Sequence, residues 1–439
     1  MPKFKISLFQ GILFGVFGLA ALIGLFVFAT YTSNGGGSGI GSVTIWGTLP
    51  KAEMATSLAA SVQADQSLKN VTYVEKDPAT VVTDLAAAIA TGAAPDLVLA
   101  SQEELQGLSK FITPTPLTTL SASTFTSSFV SEADLYAAAS GAGYYGIPYL
   151  VDPLVLFSNS TILASDNIPK PPATWEALTG LVPNVAILTP SREITRALIA
   201  LGTYDNVHDA RGILSALFLQ TGVPLSVRSA SGLLTADLGQ SASVNGLPPG
   251  QAVLRFYTQF ADPSKISYTW DASREDSQAS FLAGDTALYA GYASEARFLA
   301  AANPNLSFSV SPLPQPATAS VKRTYGKVYA FMIPRGAGNA AGAYQAAALL
   351  TNTAEQAAAA SATGLAPASR SALVSPPAND PVAAVTYASA LYASGWLSPV
   401  PADTDTVFSG MINDVISGRS TLDTALAVAE RTITSLLQR

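Results

Sequence analysis

Asp152 is the residue around which chemistry can first be argued. It is the lone carboxylate of residues 144–159, Y-Y-G-I-P-Y-L-V-D-P-L-V-L-F-S-N. A carboxylate among apolar neighbours needs hydrogen-bond partners, and a cleft holding a hydroxyl-rich or cationic ligand would supply them. The competing role is that of an ordinary cap at a β-corner. Composition narrows the remaining chemistry. The 439 residues include no cysteine and a single histidine, His208. Disulfides, thiolate metal sites, cysteine nucleophiles, an acylated N-terminal cysteine and multi-histidine metal sites are therefore excluded. Acid and base work falls to carboxylates, tyrosines and lysines.

No nucleophile elbow or phosphate-binding P-loop motif occurs. Residues 336–342, G-A-G-N-A-A-G, follow a strand and open a helix, yet their spacing is off by one from a dinucleotide loop. A tight turn capped by Asn339 is the better reading. The thirty acidic residues leave a glycosidase-type carboxylate pair open. No catalytic residue, cofactor or metal site is assigned. The net charge is −7, and −9 without Lys3 and Lys5, the only charges before Lys51. That balance argues against nucleic acid as a partner.

The elements that must position Asp152 read as α/β. Residues 144–151 and 154–157 are two short β runs, broken by Pro148 and by the Asp152-Pro153 step. Proline removes a ladder donor, so the expectation is a strand that leaves one sheet and enters another, with Asp152 where two lobes meet. Upstream, strands at 43–46, 71–75 and 97–100 alternate with helices, which implies a parallel sheet covered on both faces. Ligands of such sheets sit beyond the carboxyl ends of the strands, which places 46–50 and 101–103 on one rim. Ser101 is positioned to cap the next helix, with Glu103 and Glu104 in its first turn. Thr174 caps a helix in which Trp175 reads as packing. Ser191 is expected to begin a helix carrying Arg192 and Arg196, and His208 an exposed helix start. Strands are expected at 286–290, 306–310 and 325–333. Helices are expected at 341–350, 381–394, 404–417 and 421–437.

Residues 11–30 carry no charge and hardly a polar group. At about 1.5 Å per residue they span a ~30 Å hydrocarbon core. Lys3 and Lys5 precede them, so the N-terminus is expected in the cytoplasm and the rest outside. A cleaved signal peptide is the competing reading, although its apolar core is ordinarily shorter, about 7 to 15 residues. Residues 34–41, N-G-G-G-S-G-I-G, have the composition of a flexible tether.

Six stretches in order carry a family resemblance. They are A-T-G-A-A-P-D-L-V-L-A at 90–100, G-I-P-Y-L-V-D-P-L-V-L-F-S-N at 146–159 and I-P-K-P-P-A-T-W-E-A-L at 168–178. F-L-A-G-D-T-A-L-Y-A-G-Y at 281–292, S-V-S-P-L-P-Q at 309–315 and S-G-R-S-T-L-D-T-A-L at 417–426 complete the set. From about 43 to 437 the chain resembles the extracellular solute-binding proteins of ABC importers, family 1, of the maltose- or sugar-binding type. The resemblance implies a two-lobed periplasmic-binding-protein type II α/β fold with an interlobe hinge, preceded here by one N-terminal transmembrane helix. Its divisions would be an anchor at 1–33, a tether at 34–41, lobe 1 at 42–150 plus about 314–352, and lobe 2 at 151–313 plus about 353–439.

It also implies ligand contacts from several regions. They are Trp46 and Thr48 after the first strand, then Ser101, Gln102 and Glu103 after the P-D strand, and Asp152 with Tyr149 in the hinge strand. Tyr292 follows the G-D-T-A strand, and Trp270, Asp271 and Trp396 stand where the family often presents ligand contacts. Flat aromatics suit the C–H faces of a sugar, and Glu103, Asp152 and Asp271 suit its hydroxyls. Core packing is the competing role for each tryptophan. Arg192 would suit an anionic group, against the plainer role of a solvated helix residue. Two departures stand out: neither a lipidated cysteine nor a clear cleavage site is present, and the loop after Ala100 lacks an aromatic. The expected function is capture of a small solute, a carbohydrate foremost, by lobe closure for ABC permease subunits, without a reaction. The alternatives are an anchored ligand sensor and a glycan-acting enzyme.

Overall fold

A computed structural model describes residues 40–229, 232–239 and 246–438. The expected anchor at 11–30 and the tether up to residue 39 lie outside these residues. Among the described residues no helix is long and apolar enough to cross a membrane. The last residues assigned to the tether are described: Ile40 is buried, and its carbonyl accepts from Asn339 Nδ2 at 3.0 Å.

The strand Ile147–Asn159 organises everything else. It runs for 13 residues and is buried along its whole length, so the expected break at Pro148 and Pro153 does not occur. The prolines are accommodated in the pairing. Pro148 lies where the ladder with the antiparallel strand Thr324–Met332 shifts register, and Pro153 faces Gly326, the last pair of that ladder. A missing N–H costs little where the hydrogen-bond pattern is already interrupted. Beyond this point the strand takes new neighbours, Thr286–Tyr292 on one edge and Phe308–Pro312 on the other. Before it, Leu150 and Val151 pair instead with Pro367 and Ala366. One continuous strand therefore serves two sheet regions.

In the first region the parallel strands Val71–Glu75, Val43–Gly47 and Leu97–Ser101 lie side by side, followed by the antiparallel Thr324–Met332 and the first half of the crossing strand. In the second, Thr286–Tyr292 lies between the crossing strand and Ile194–Ile199, with Ile187–Leu188 at the edge. Helices flank both regions, and several begin at the expected caps. Ser101 makes a full capping box with Glu104, Thr174 accepts from Ala177 N–H at 3.2 Å, and Asn339 accepts from Gly342 N–H at 3.0 Å.

One element differs in kind. The helix expected from Ser191 is instead the strand Ile194–Ile199, entered through a turn in which Arg192 has φ 64°. Ile194 and Thr195 are β-branched, and the strand pairs through Ala197 and Ile199 with the buried Thr286 and Leu288, so sheet pairing overrides the local pattern. Arg196 then reaches back to Asp166 at 2.6 Å and to the Val185 carbonyl at 2.8 Å.

Where Leu97–Ser101 ends and its neighbour Thr324–Met332 continues, the side chain of Gln102 extends the ladder. Its Oε1 accepts from Val328 N–H at 2.7 Å, and its Nε2 donates to the Gly326 carbonyl at 2.9 Å. Tyr136 Oη donates at 2.8 Å to the Val328 carbonyl and lies 3.1 Å from that of Ala100. Gln102 is fully buried, so no water replaces these bonds. Gln102→Leu strands two backbone groups, each costing about 1–3 kcal/mol. Chemical denaturation should show a loss of roughly 2–4 kcal/mol, and a loss below about 0.5 kcal/mol would show that the amide is not a rung of the sheet.

Candidate functional site

The groove between the two regions is built from the elements that join them. Lys327 lies on Thr324–Met332, in register opposite Asp152 of the crossing strand. Tyr292 closes Thr286–Tyr292, and its ring centroid lies 3.9 Å from Lys327 Nζ. The helix Ala210–Gln220 starts at the same place, with Gly212 so close to Tyr292 that a Cβ would stand 2.7 Å from its hydroxyl. A cavity of about 280 Å³ results, lined among others by Tyr204, Asp209, Arg211, Tyr292, Lys327 and Asp405.

A chain of polar contacts crosses the groove beside this cavity. Tyr325 Oη donates to Glu103 Oε1 at 2.7 Å, and Arg211 Nη2 donates to Glu103 Oε2 at 3.1 Å. Arg211 Nη1 donates to Asp405 Oδ2 at 2.5 Å, and Tyr204 Oη to Asp405 Oδ1 at 2.6 Å. Burial is the largest influence on Glu103 and pushes its pKa up. Arg211 foremost, with Lys327 and the Tyr325 hydroxyl, outweighs it and brings the carboxyl down to about 2. Glu103 is therefore ionised throughout the neutral range, and Arg211 holds its charge against the same burial through Glu103 and Asp405.

Asp152 is 4% exposed and accepts from Ser294, N–H at 3.1 Å and Oγ–H at 2.6 Å. Burial pushes its pKa up to about 6 despite Ser294 and Lys327. Behind it, Tyr289 Oη donates to Glu295 and lies 3.3 Å from Asp209, and burial raises the pKa of both carboxyls. Lys327 differs from all of these. Among the described residues it makes no ion pair and no hydrogen bond, and its polar partner is the Tyr292 ring. It lines a cavity shared with the carboxylates Asp209 and Asp405 and the tyrosines Tyr204 and Tyr292.

The residues singled out from sequence separate into groups. Glu103, Asp152 and Tyr292 converge on the groove. Ser101 is occupied in the capping box, and Gln102 in the sheet. Thr48 gives its N–H to Leu99 O at 3.0 Å. Trp46 holds Lys76 Nζ 3.8 Å from its ring centroid, away from these contacts. Tyr149 is in the core, its hydroxyl 3.1 Å from Ser57 Oγ and its ring tilted on Phe331. Trp270 is fully buried, with Nε1 3.3 Å from Asn206 Oδ1, and Asp271 accepts from the Tyr268 and Ser273 hydroxyls in a turn. Trp396 is buried, donates to Ser215 Oγ at 3.1 Å, and borders a different cavity. Arg192 stacks over Tyr268 at 5.5 Å, and His208 lies 3.4 Å from Asp276 on the surface.

Lys327, Arg211, Tyr204, Asp209 and Asp405 were not singled out. The first two carried a usable signal, being lone cations in otherwise uncharged elements, T-Y-G-K-V-Y-A-F-M and A-R-G-I-L-S-A-L-F-L-Q. A buried strand or helix retains such a residue only for a partner.

The comparisons with known proteins agree with this architecture. The model of the family described as bacterial extracellular solute-binding protein matches residues 57–386. No curated protein matches the chain by sequence. Among solved structures, the cyclic α-maltosyl-1,6-maltose binding protein from Arthrobacter globiformis superposes with a TM-score of 0.72 at 16% identity, over 90% of this chain and 99% of that one. A cyclo/maltodextrin-binding protein complexed with maltotetraose gives 0.70 at 16%, over 92% and 98%. UgpB from Mycobacterium tuberculosis in complex with glycerophosphocholine gives 0.69 at 17%, over 90% and 98%. At such identities these likenesses show the fold, a two-lobed α/β solute-binding architecture, while the family match covers most of the sequence. The chain belongs to the bacterial extracellular solute-binding protein family.

Proposed function

We propose that this protein is a membrane-tethered solute-binding protein that closes its two lobes on a carbohydrate and presents it to the permease subunits of an ABC importer. The observation that carries this reading is Lys327. A half-buried ammonium with no acceptor among the described residues, set 3.9 Å from the centroid of an aromatic ring, is poised for ligand oxygens. The charge balance favours neutral hydroxyls over phosphate. Asp152, Glu103 and Asp405 face two cations, Lys327 and Arg211, with the Asp209 and Glu295 carboxyls behind them, so an anionic solute meets no excess of positive charge. The structural neighbours named for maltodextrin-type ligands support the choice, and the uncharged stretch at 11–30 supports the tether.

Two outcomes follow. Calorimetric titration of saccharides of one to four rings should give binding that Lys327→Met weakens about tenfold or more, with the melting temperature held within a few degrees. Glycerophosphocholine serves as the charged competitor. If it alone bound, the carbohydrate reading would be wrong.

The Glu103–Arg211 contact joins the two sides, so its removal has a defined signature. Arg211→Met leaves an uncompensated buried carboxylate and should cost about 3–5 kcal/mol, while adding Glu103→Gln should recover most of that loss. Thermal denaturation of the two single variants and the double variant measures the coupling. Strictly additive losses would mean that the two side chains do not act as a pair.

A further inference from the structure

Two carboxyls at the edge of the cleft are placed as a pair. Asp209 precedes the helix Ala210–Gln220 and lines the cavity of about 280 Å³ together with Lys327, and Glu295 opens the helix Glu295–Ala302 behind it. Few hydrogens are available between them. Glu295 Oε1 accepts from Tyr292 N–H at 2.6 Å, and its Oε2 accepts from Gln278 Nε2 at 2.6 Å and from the Tyr289 hydroxyl. That hydroxyl also lies 3.3 Å from Asp209 Oδ2, and the two carboxyls are hydrogen-bonded to each other. A phenol has one hydrogen, which goes to Glu295, and two ionised carboxylates have none to share. The contacts among Asp209, Tyr289 and Glu295 are all satisfied only when the pair holds a proton of its own. The backbone keeps the group together: a Cβ on Gly291 would stand 2.9 Å from Glu295 Oε1 and 2.5 Å from Tyr289 Cε1.

The groups around the pair favour keeping that proton. Asp152 faces it from the crossing strand, and the Tyr289 and Tyr292 phenols from Thr286–Tyr292. Gln278, on the helix Ser277–Ala283, is neutral. Among the cations, Lys327 acts on Asp209 from Thr324–Met332. Arg211, on the helix of Asp209, is engaged by Glu103 and Asp405, and Arg297, on the helix of Glu295, by the Ser361 and Ala362 carbonyls. His208 turns to Asp276 at 3.4 Å. Burial, and for Glu295 the adjoining Asp209 charge, raise the pKa of both carboxyls. Lys327 lines the same cavity as Asp209 and yet makes no ion pair among the described residues, an arrangement that a neutral Asp209 allows.

We infer that Asp209 and Glu295 share a single proton and that this proton gates capture: while it is in place Lys327 is free for solute oxygens, and once it is lost the new carboxylate claims the ammonium. The inference rests on the carbohydrate reading of the cleft and adds a regulation of that same site. A neutral solute also takes water away from Asp209, which disfavours its charged form, so both effects have one sign. Binding therefore draws a proton from solvent whenever the pair has lost its own. Affinity is full at low pH and falls as pH rises through the titration of the pair, by at most about tenfold per pH unit for one proton.

The full chain is titrated calorimetrically with glucose, mannotriose and maltotetraose at about pH 5, 7 and 9, each in two buffers of different ionisation heat. Affinity should weaken about tenfold or more from the lowest pH to the highest, and the difference between buffers should report uptake of up to one proton at the upper end. Asp209→Asn, whose amide still donates and accepts, should vary less than about threefold over the same range and take up no proton. Asp152→Asn, which removes the other carboxyl of the floor, should keep the fall. Infrared difference spectra of the chain without solute read the proton directly: a carboxylic-acid C=O band at neutral pH should be present in the wild type and missing in Asp209→Asn. An affinity independent of pH, or a fall that survives in Asp209→Asn and vanishes in Asp152→Asn, would overturn the linkage and leave the carbohydrate reading standing. Absence of the band would overturn the shared proton whatever the solute does. No heat with any of the three saccharides at any pH would overturn the carbohydrate reading and the linkage together.

Discussion

One strand has to exchange both of its hydrogen-bonding neighbours within about three residues, deep in the protein, without stranding a backbone group. The local sequence is arranged around that constraint. Pro153 contributes no N–H at the point of exchange, and its carbonyl accepts from Ala293 N–H at 3.0 Å. The next carbonyl, of Leu154, accepts from Thr324 Oγ1 at 2.8 Å. Asp152 is tied to Ser294 on the strand–helix turn that follows Thr286–Tyr292, and Gln102 and Tyr136 finish the neighbouring ladder with side chains. Buried backbone groups must be paired, so every departure from regular sheet at this crossing calls for a named side chain. Those substitutes concentrate beside the groove and thereby define its polar floor.

Charge at the seam follows from the same geometry. An ion pair buried within one rigid core gains little over apolar packing, because desolvation offsets attraction. Between two bodies that part and rejoin, the pair exchanges protein partners for water reversibly, whereas a large apolar contact would resist opening. Glu103 with Arg211 and Asp405 fits the second situation, with charge-assisted bonds of 3.1 Å from Arg211 to Glu103 and 2.5 Å from Arg211 to Asp405. The apolar contribution is kept small and stiff at this place, through Gly212 against Tyr292.

Much of this fold was legible in the chain because caps, turns and periodicity are local. Ser101, Thr174, Asn339 and Thr421 all cap where their residue types say they should. Asp152 was legible as a buried carboxylate, and Tyr292 through family resemblance. The tryptophans were not, since a large aromatic suits a core and a sugar face equally well, and only three-dimensional neighbours decide between them. Trp270 is fully enclosed, and the aromatics that line the cavity are tyrosines, Tyr204 and Tyr292. The strand Ile194–Ile199 was read as helix because its pattern, I-T-R-A-L-I, has no strict alternation; pairing with Thr286–Tyr292 decides the outcome. Lys327 and Arg211 were readable as solitary charges, but the partners of Arg211 come from positions more than a hundred residues away and the ring facing Lys327 from another strand, beyond the reach of spacing.

The position of Lys327 also bears on how binding would be transmitted. A ligand shifts a conformational equilibrium only by its differential interaction with the two states. Lys327 belongs to a strand that runs beside the crossing strand, in register with Asp152, the residue at which neighbours are exchanged. Tyr292, whose ring the ammonium faces, belongs to the strand that takes over as partner at Leu154. Under the proposed binding mode a ligand oxygen bound by this lysine would pull on the segment that joins the two regions, and a ring lying on Tyr292 would engage the other side of the same exchange. Contacts placed at the far tips of the lobes would need a lever to reach the hinge. In the proposed mode the ligand and the crossing strand would share two strands and one cation, and the energy of binding would have no intervening structure to cross.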